Sequence, residues 1–214
     1  MKIIDAQLYD QAFTKEQIPV LDLPQVAVFG RSNVGKSSLL AAMMRRRKLV
    51  KVSSTPGKTR GIFFYIVNGL FYLVDLPGYG FSKAPKALAG NWHLLVEAYL
   101  DSYPGPSMAL HLVDIRHPPT RDDLAVRQIL TERSIPVIVV ATKADKFSKS
   151  RRIRSLGTIS RDMGVRGDSV IPVSVKDSSI PLDAVWEKIL LRLPELSQGN
   201  EPKTQSPKPK VKPD

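Results

Sequence analysis

The stretch Gly30-Arg31-Ser32-Asn33-Val34-Gly35-Lys36-Ser37, with Ser38 behind it, follows directly on the apolar run Val26-Ala27-Val28-Phe29. A buried-type strand, a glycine-bounded loop and a helix start in that order constrain this chain more than any other feature in it. The glycines let consecutive N–H groups turn inward, and the helix opening near Lys36 aims its positive end at the same hollow. Such a hollow suits phosphate. Lys36 would neutralise the outer phosphates and so take part in catalysis, and the Ser37 hydroxyl would hold a magnesium ion bridging them. The plainer reading is a glycine turn between strand and helix. It leaves the lysine and hydroxyl at these two positions unexplained.

The rest of the chain alternates strand-like and helix-like segments around this unit. Residues 1–24 form a lead-in that packs on the domain surface, 25–193 a single nucleotide-binding domain, and 194–214 a tail rich in Lys, Pro, Ser and Gln that cannot bury a core and is disordered by composition. Residues 37–44 suit a helix running into the basic cluster Arg45 to Lys48, which would complement its negative end. Residues 62–68 and 70–75 are two β-rich runs joined at Asn68-Gly69, the strongest short hairpin signal. Beyond a helix over 85–102, strands over 107–114, 136–141 and 169–173 alternate with helices over 120–133, 148–163 and 181–193. That order predicts an α/β fold of three layers, with a mainly parallel sheet between helices.

Composition narrows the function classes. The formal charge of +12 predicts a polyanionic partner, nucleic acid or an anionic membrane surface. The absence of cysteine removes disulfides, thiolate metal sites and cysteine nucleophiles, and fits a reducing cytoplasm. No run approaches the ~18 apolar residues that a membrane span needs, so a soluble protein without stable membrane insertion is expected.

In an open α/β sheet, ligands bind beyond the C-terminal strand ends, where the remaining site loops are sought. Asp75-Leu76-Pro77-Gly78 follows the strand ending at Val74. Its carboxylate can hold magnesium through water, and the Gly78 N–H can approach a terminal phosphate. Thr142-Lys143-Ala144-Asp145 follows the strand ending at Ala141. One carboxylate there can meet the adjacent N1 and N2 donors of guanine, while the lysine stem packs over the ring. Adenine offers no such donor pair and would leave the carboxylate unpaired. Val173-Ser174-Val175, with Lys176 behind, can bring a backbone N–H to the guanine O6. In the loop Gly57-Lys58-Thr59-Arg60-Gly61, the Thr59 hydroxyl can complete a magnesium shell when a terminal phosphate draws the loop in, and Thr55 is its rival.

This ordered set, GRSNVGKS, the Gly57 to Gly61 loop, DLPG, TKAD and SVK, resembles the translation-factor-like P-loop GTPases. DLPGYGFSK, TPGKTR and the single-domain layout look like the bacterial EngB (YihA/YsxC) family. The resemblance covers residues 25–193. It implies a P-loop NTPase fold with a six-stranded mixed sheet and five principal helices. It also implies GTP and GDP binding with magnesium and a cytoplasmic role in assembling the large ribosomal subunit, needed for cell division and septation. By motif position, Thr59 rather than Thr55 becomes the magnesium threonine beside Ser37. Val175 stands where the usual motif has alanine.

Tyr79 occupies the place where many relatives carry the glutamine that orients the attacking water. Slow intrinsic hydrolysis is therefore expected, with catalysis from Lys36, magnesium and loop closure through Thr59 until a partner completes the site. Asn33 resembles the asparagine of potassium-stimulated relatives, which implies a bound K+. The basic residues Arg45, Arg46, Arg47, Lys48, Lys51, Lys146, Lys149, Arg151, Arg152 and Arg154 and the tail lysines would meet ribosomal RNA and proteins, with no DNA specificity, the protein acting as a monomer. His93, His111 and His117 show no metal-ligand spacing and are expected to serve packing. Two rival classes are a metabolic nucleotide kinase and a membrane-associated regulatory GTPase recruited by basic patches. The first has no use for Thr142 to Asp145, and the second lacks a C-terminal cysteine and an N-terminal acylation signal.

Overall fold

The structure, a computed structural model, describes residues 3–46, 49, 61–80, 86–180 and 182–198, with 86–92 described by backbone alone. Its strands are β1 (Ala6–Ala12), β2 (Gln25–Gly30), β3 (Ile62–Val67), β4 (Phe71–Asp75), β5 (Met108–Asp114), β6 (Val137–Thr142) and β7 (Val170–Pro172). The helices are α1 (Lys36–Met43), α2 (Lys86–Leu100), α3 (Arg121–Glu132), α4 (Lys149–Asp162), α5 (Asp183–Arg192) and the short α6 (Glu195–Gln198).

Fully apolar runs such as Val26 to Phe29 and Val137 to Ala141 need cover on both faces, and they receive it. On one face Ala27, Phe29, Val139 and Ala141 pack with Leu95, Val96 and Tyr99 of α2, Val126 and Leu130 of α3 and Ile159 of α4. On the other, Val26, Val28, Ile138 and Val140 pack with Leu39 and Leu40 of α1 and Val185, Trp186 and Ile189 of α5. Edge-to-face ring pairs fix both layers, Phe64 with Tyr99 at 6.0 Å and Phe71 with Trp186 at 5.9 Å.

The sheet order is β1-β3-β4-β2-β5-β6-β7. Strands β4, β2, β5, β6 and β7 run parallel, while β3 pairs antiparallel with β1 and β4. The hairpin turns at Asn68 and Gly69, whose φ values of 52° and 67° are the two left-handed positions of a type I′ turn. The C-terminal ends of β2, β5, β6 and β7 therefore point the same way, and the loops that leave them gather at one end of the molecule.

Two expectations need correction. Among the described residues the sheet has seven strands rather than six, because part of the lead-in is β1, paired to β3 through a bulge between Leu8 and Asp10. The basic cluster is not the last turn of α1. The helix stops at Met43, where Arg45 takes a left-handed φ of 53° and Arg46 N–H returns to the Ala41 carbonyl. This closure satisfies the terminal carbonyls without a basic last turn. Arg46 instead reaches the Ile4 carbonyl at 3.4 Å, and Arg47 and Lys48 lie outside the described residues.

Candidate nucleotide site

The phosphate loop leaves β2 at Gly30 and enters α1 at Lys36. Asn33 (φ 64°) and Gly35 (φ 103°) take left-handed conformations, which curl the loop, and a side chain at Gly35 would meet nothing within 4 Å among the described residues. Val34 is buried beneath the loop, while Arg31, Ser32, Ser37 and Ser38 are half-buried and Asn33 is exposed. Lys36 is buried, and its ammonium meets the equally buried Asp75 carboxylate. Two charges taken out of water need one another. A phosphate and a hydrated cation fit this pair, since each charge would gain a partner of the opposite sign beside the Ser37 hydroxyl.

The acidic loop lies against the phosphate loop. Val28 pairs with Asp75 across β2 and β4, and Ser32 N–H donates to the Tyr79 carbonyl at 2.9 Å. A side chain at Gly78 would stand 3.2 Å from Ser32 N and 3.3 Å from its Cα, so the two backbones approach as only glycine allows. Leu76 is buried, and Pro77 and Gly78 continue the same loop. Gly61 lies at this end as well, but it packs against Ala12 and Phe13 of the β1 edge. Gly57, Lys58, Thr59 and Arg60, together with Thr55, lie outside the described residues.

The Tyr79 side chain turns into the core. Its hydroxyl donates to Asp123 Oδ1 at 2.6 Å and faces His111 Nε2 at 2.7 Å. One phenol proton serves one acceptor, so His111 carries its proton on Nε2 and donates to Tyr79. Asp123 Oδ2 accepts from Thr120 N–H and Oγ1–H, both at 2.7 Å. Burial works against the Asp123 charge, but the His111 imidazole 3.9 Å away and the hydrogen bonds from Tyr79 and Thr120 outweigh it and hold the carboxyl at about 2. Burial pushes His111 below the ordinary imidazole value despite Asp123, and it pushes the Tyr79 phenol far up. Histidine 111 is thus a core residue, as its spacing implied.

The base loop is tied to the phosphate loop through main chain and side chain alike. The Thr142 hydroxyl faces the Val34 carbonyl at 2.7 Å and the Val113 carbonyl at 3.1 Å. Lys143 takes a left-handed φ of 60° and lays its ammonium between the Asn33 carbonyl and Asp114 Oδ2, each at 2.8 Å. Ala144 N–H donates to the Val173 carbonyl at 3.0 Å, which locks the loop to the end of β7. Asp145 accepts from the Ser174 hydroxyl at 2.8 Å, and this bond lowers its carboxyl pKa. Ser174 in turn accepts from Lys176 N–H and Asp177 N–H. Val175 is half exposed at this rim.

Asp114 was not among the sequence candidates. Burial raises its carboxyl pKa, but hydrogen bonds from Arg116 and Lys143 carry it well below the usual range. Its only signal was a carboxylate at a strand's C-terminal end. The strand pairing of β5 with β6 sets Asp114 opposite Thr142 and so within reach of Lys143.

A mixed sheet wrapped by helices, with a glycine-bounded loop running from a strand end into a helix and an acidic and a base loop beside it, defines a P-loop GTPase fold. The family model described as 50S ribosome-binding GTPase matches residues 25–143. The chain is 43% identical over 179 residues to the probable GTP-binding protein EngB of Caldanaerobacter subterraneus, covering 84% of this chain and 92% of the relative. It is 42% identical over 193 residues to that of Geobacter metallireducens, covering 90% and 94%. A crystal structure of a probable GTP-binding protein engB superposes with a TM-score of 0.62 at 25% identity, covering 81% of this chain and 98% of that one. The chain belongs to the EngB family of GTP-binding proteins.

Proposed function

We propose that this protein is a magnesium-dependent guanine-nucleotide switch that hydrolyses GTP slowly and acts in the cytoplasm on assembly of the large ribosomal subunit, with consequences for cell division and septation. The observation that carries the reading is the base loop. Asp145 is held by Ser174, while Lys143 is drawn across the phosphate loop to Asn33 and Asp114. A carboxylate fixed in this way suits the paired donors of guanine, and family membership supports the same ligand. Lys36 would bind the outer phosphates, Asp75 and the Ser37 hydroxyl would hold magnesium, and Thr59 would join them in the GTP state. When bound, the cation supplies charge stabilisation at the phosphates.

Slow hydrolysis follows from Tyr79. Its phenol is engaged with Asp123 inside the core, away from where an attacking water would stand, so a partner is needed to complete the site. A net charge of +12 supports ribosomal RNA as part of that partner. The Asn33 position supports a potassium ion at the phosphates, and equal hydrolysis rates in potassium and sodium buffers would remove it.

Titration with fluorescent GDP and GTP, with and without isolated large subunits, tests the proposal. GDP and GTP should bind and adenine nucleotides compete poorly, with large subunits co-sedimenting best with the GTP form. Equal competition by ADP would overturn the guanine assignment. Flotation with anionic liposomes in place of co-sedimentation would favour the membrane-associated alternative.

A further inference from the structure

Strands β2, β5, β6 and β7 are parallel, so the molecule has a second end, where β6 begins at Val137 and β7 at Val170. Roughly 17 Å of strand separates that end from the base loop. It carries an open cleft of about 330 Å³, bounded by the tails of α3, α4 and α5 and lined by the half-buried Arg127 and the exposed Arg166 and Arg192. Thr131, Ser134 and Ser169 belong to the same walls, and among the described residues no carboxylate lines it.

The arginines are poorly neutralised. Arg127 donates one guanidinium N–H to the Thr131 hydroxyl, yet its Nε is out of solvent with no hydrogen-bond partner among the described residues. A donor buried without an acceptor is costly, which sets Arg127 apart from an ordinary surface arginine. Arg192 makes no ion pair among the described residues. Arg166 stands 3.4 Å from Asp168, but that carboxylate is shared with Lys188 at 3.6 Å.

Complementing the negative ends of the three helices is the obvious competing role for these cations. Magnitudes decide against it as a full account. Each helix end presents about half an elementary charge, felt only within its last turn, whereas Arg127 lies more than a turn before the end of α3. The terminal carbonyls are also already used. Ser134 and Ile135 N–H return to Thr131 and Leu130, and Gly164 and Val165 N–H return to Arg161 and Ser160. The Thr131 hydroxyl is spent on the Arg127 carbonyl, so the cleft keeps net positive charge with the Arg166 and Arg192 guanidiniums and the Ser134 and Ser169 hydroxyls to meet an oxyanion.

We propose that this cleft is an anion site for a phosphate group of an RNA backbone, a second contact distinct from the nucleotide site. The RNA source rests on the ribosomal reading above; the anion site does not.

The test uses the full chain saturated with GDP, so that the phosphate loop is filled, and a fluorescent ten-nucleotide oligouridylate titrated over a salt series. Arg127→Gln with Arg192→Gln should weaken RNA binding several-fold and reduce the slope of log affinity against log salt by about 0.7 for each phosphate no longer neutralised. GDP affinity should not change, because neither residue approaches the phosphate loop. Arg192→Gln alone, at an exposed helix end, keeps the test available should the double variant fold poorly. Variants that match the wild type in both affinity and slope would overturn the cleft while leaving RNA binding intact. If the wild type binds no RNA, the RNA source falls, and inorganic pyrophosphate decides the cleft by itself. Displaced amide resonances of Ser134 and Ser169 would support an anion site, and unmoved ones would overturn it.

Discussion

Tyr79 shows how one residue can hold two roles apart. Its carbonyl accepts from Ser32 in the phosphate loop, while its hydroxyl lies in a buried chain of donors running from His111 to Tyr79 to Asp123. Tyr79→Phe keeps the first and deletes the second, leaving Asp123 short of a donor. Stability should fall by about 1–3 kcal/mol, read as a lower urea midpoint, with GDP affinity little changed. The same chain sets an acid response in two stages. His111 is held below the ordinary value of about 6.5, so the unfolded chain takes up that proton first, and stability falls as pH drops through about 6.5. Asp123, depressed to about 2, contributes fully above about 4 and loses its contribution as pH falls from there toward 2. Denaturant midpoints of His111→Asn should be flatter than those of the wild type between pH 7 and 5. Parallel curves throughout would sink this assignment. From sequence, the residue after Gly78 was recognisable as something other than glutamine, but not the direction of its ring. That direction depends on Asp123 and His111, more than thirty residues away.

At the scale of elements, the legible features were those encoded in a few consecutive residues. The phosphate loop, the Asn68-Gly69 hairpin and the Thr120 start of α3 are local chemistry, and each stands where its motif placed it. Strand β1 was hidden because it alternates poorly. Only Ala6 and Ala12 are buried, the bulge shifts its register, and Tyr9 gains its packing from Tyr72 at 5.0 Å on another strand. An edge strand of this kind protects β3 from foreign pairing. A chain that starts at Ile18 should aggregate in a concentration-dependent manner by light scattering, where the full chain does not. The base loop likewise depends on a neighbour. Thr142 to Asp145 was readable as a motif, whereas the order of Asp145 comes from Ser174 at the end of another strand, itself held by two backbone N–H groups. Asp145→Asn should weaken GDP binding about ten- to a hundredfold through loss of charge-assisted bonds. Ser174→Ala should cost several-fold by loosening the same carboxylate. Fluorescent GDP titration checks both, and an unaffected Ser174→Ala would show that Asp145 is positioned by the loop backbone alone.

For the molecule as a whole, the site is made by bringing loops from four strand ends together, and few covalent neighbours hold them there. Lys143 bridges the base loop to Asn33 and Asp114, Thr142 reaches Val34, and Tyr79 meets Ser32. Each contact joins segments far apart in sequence, so a ligand that grips phosphate and base at once ties both ends of this network to the folded state. With a cation beside its phosphates, it would also give the buried Lys36 and Asp75 charges partners of their own. A nucleotide that binds only the folded chain stabilises it by mass action, about 2.7 kcal/mol at a hundredfold excess over its dissociation constant. For a domain of this size that is an upward shift in melting midpoint of about 5–11 °C. GDP with magnesium should produce it. ADP at the same concentration should not, because the carboxylate of Asp145 would face adenine without a donor pair. The comparison isolates the base, since both ligands carry the same diphosphate and draw on the same Lys36. Asp145→Asn should shrink the GDP shift by more than it lowers the midpoint of the ligand-free chain, where it weakens only the bond from Ser174. Equal shifts from GDP and ADP would mean that the phosphate loop alone carries the binding energy, and that the tie between Lys143, Asp114 and Asn33 is structural rather than selective.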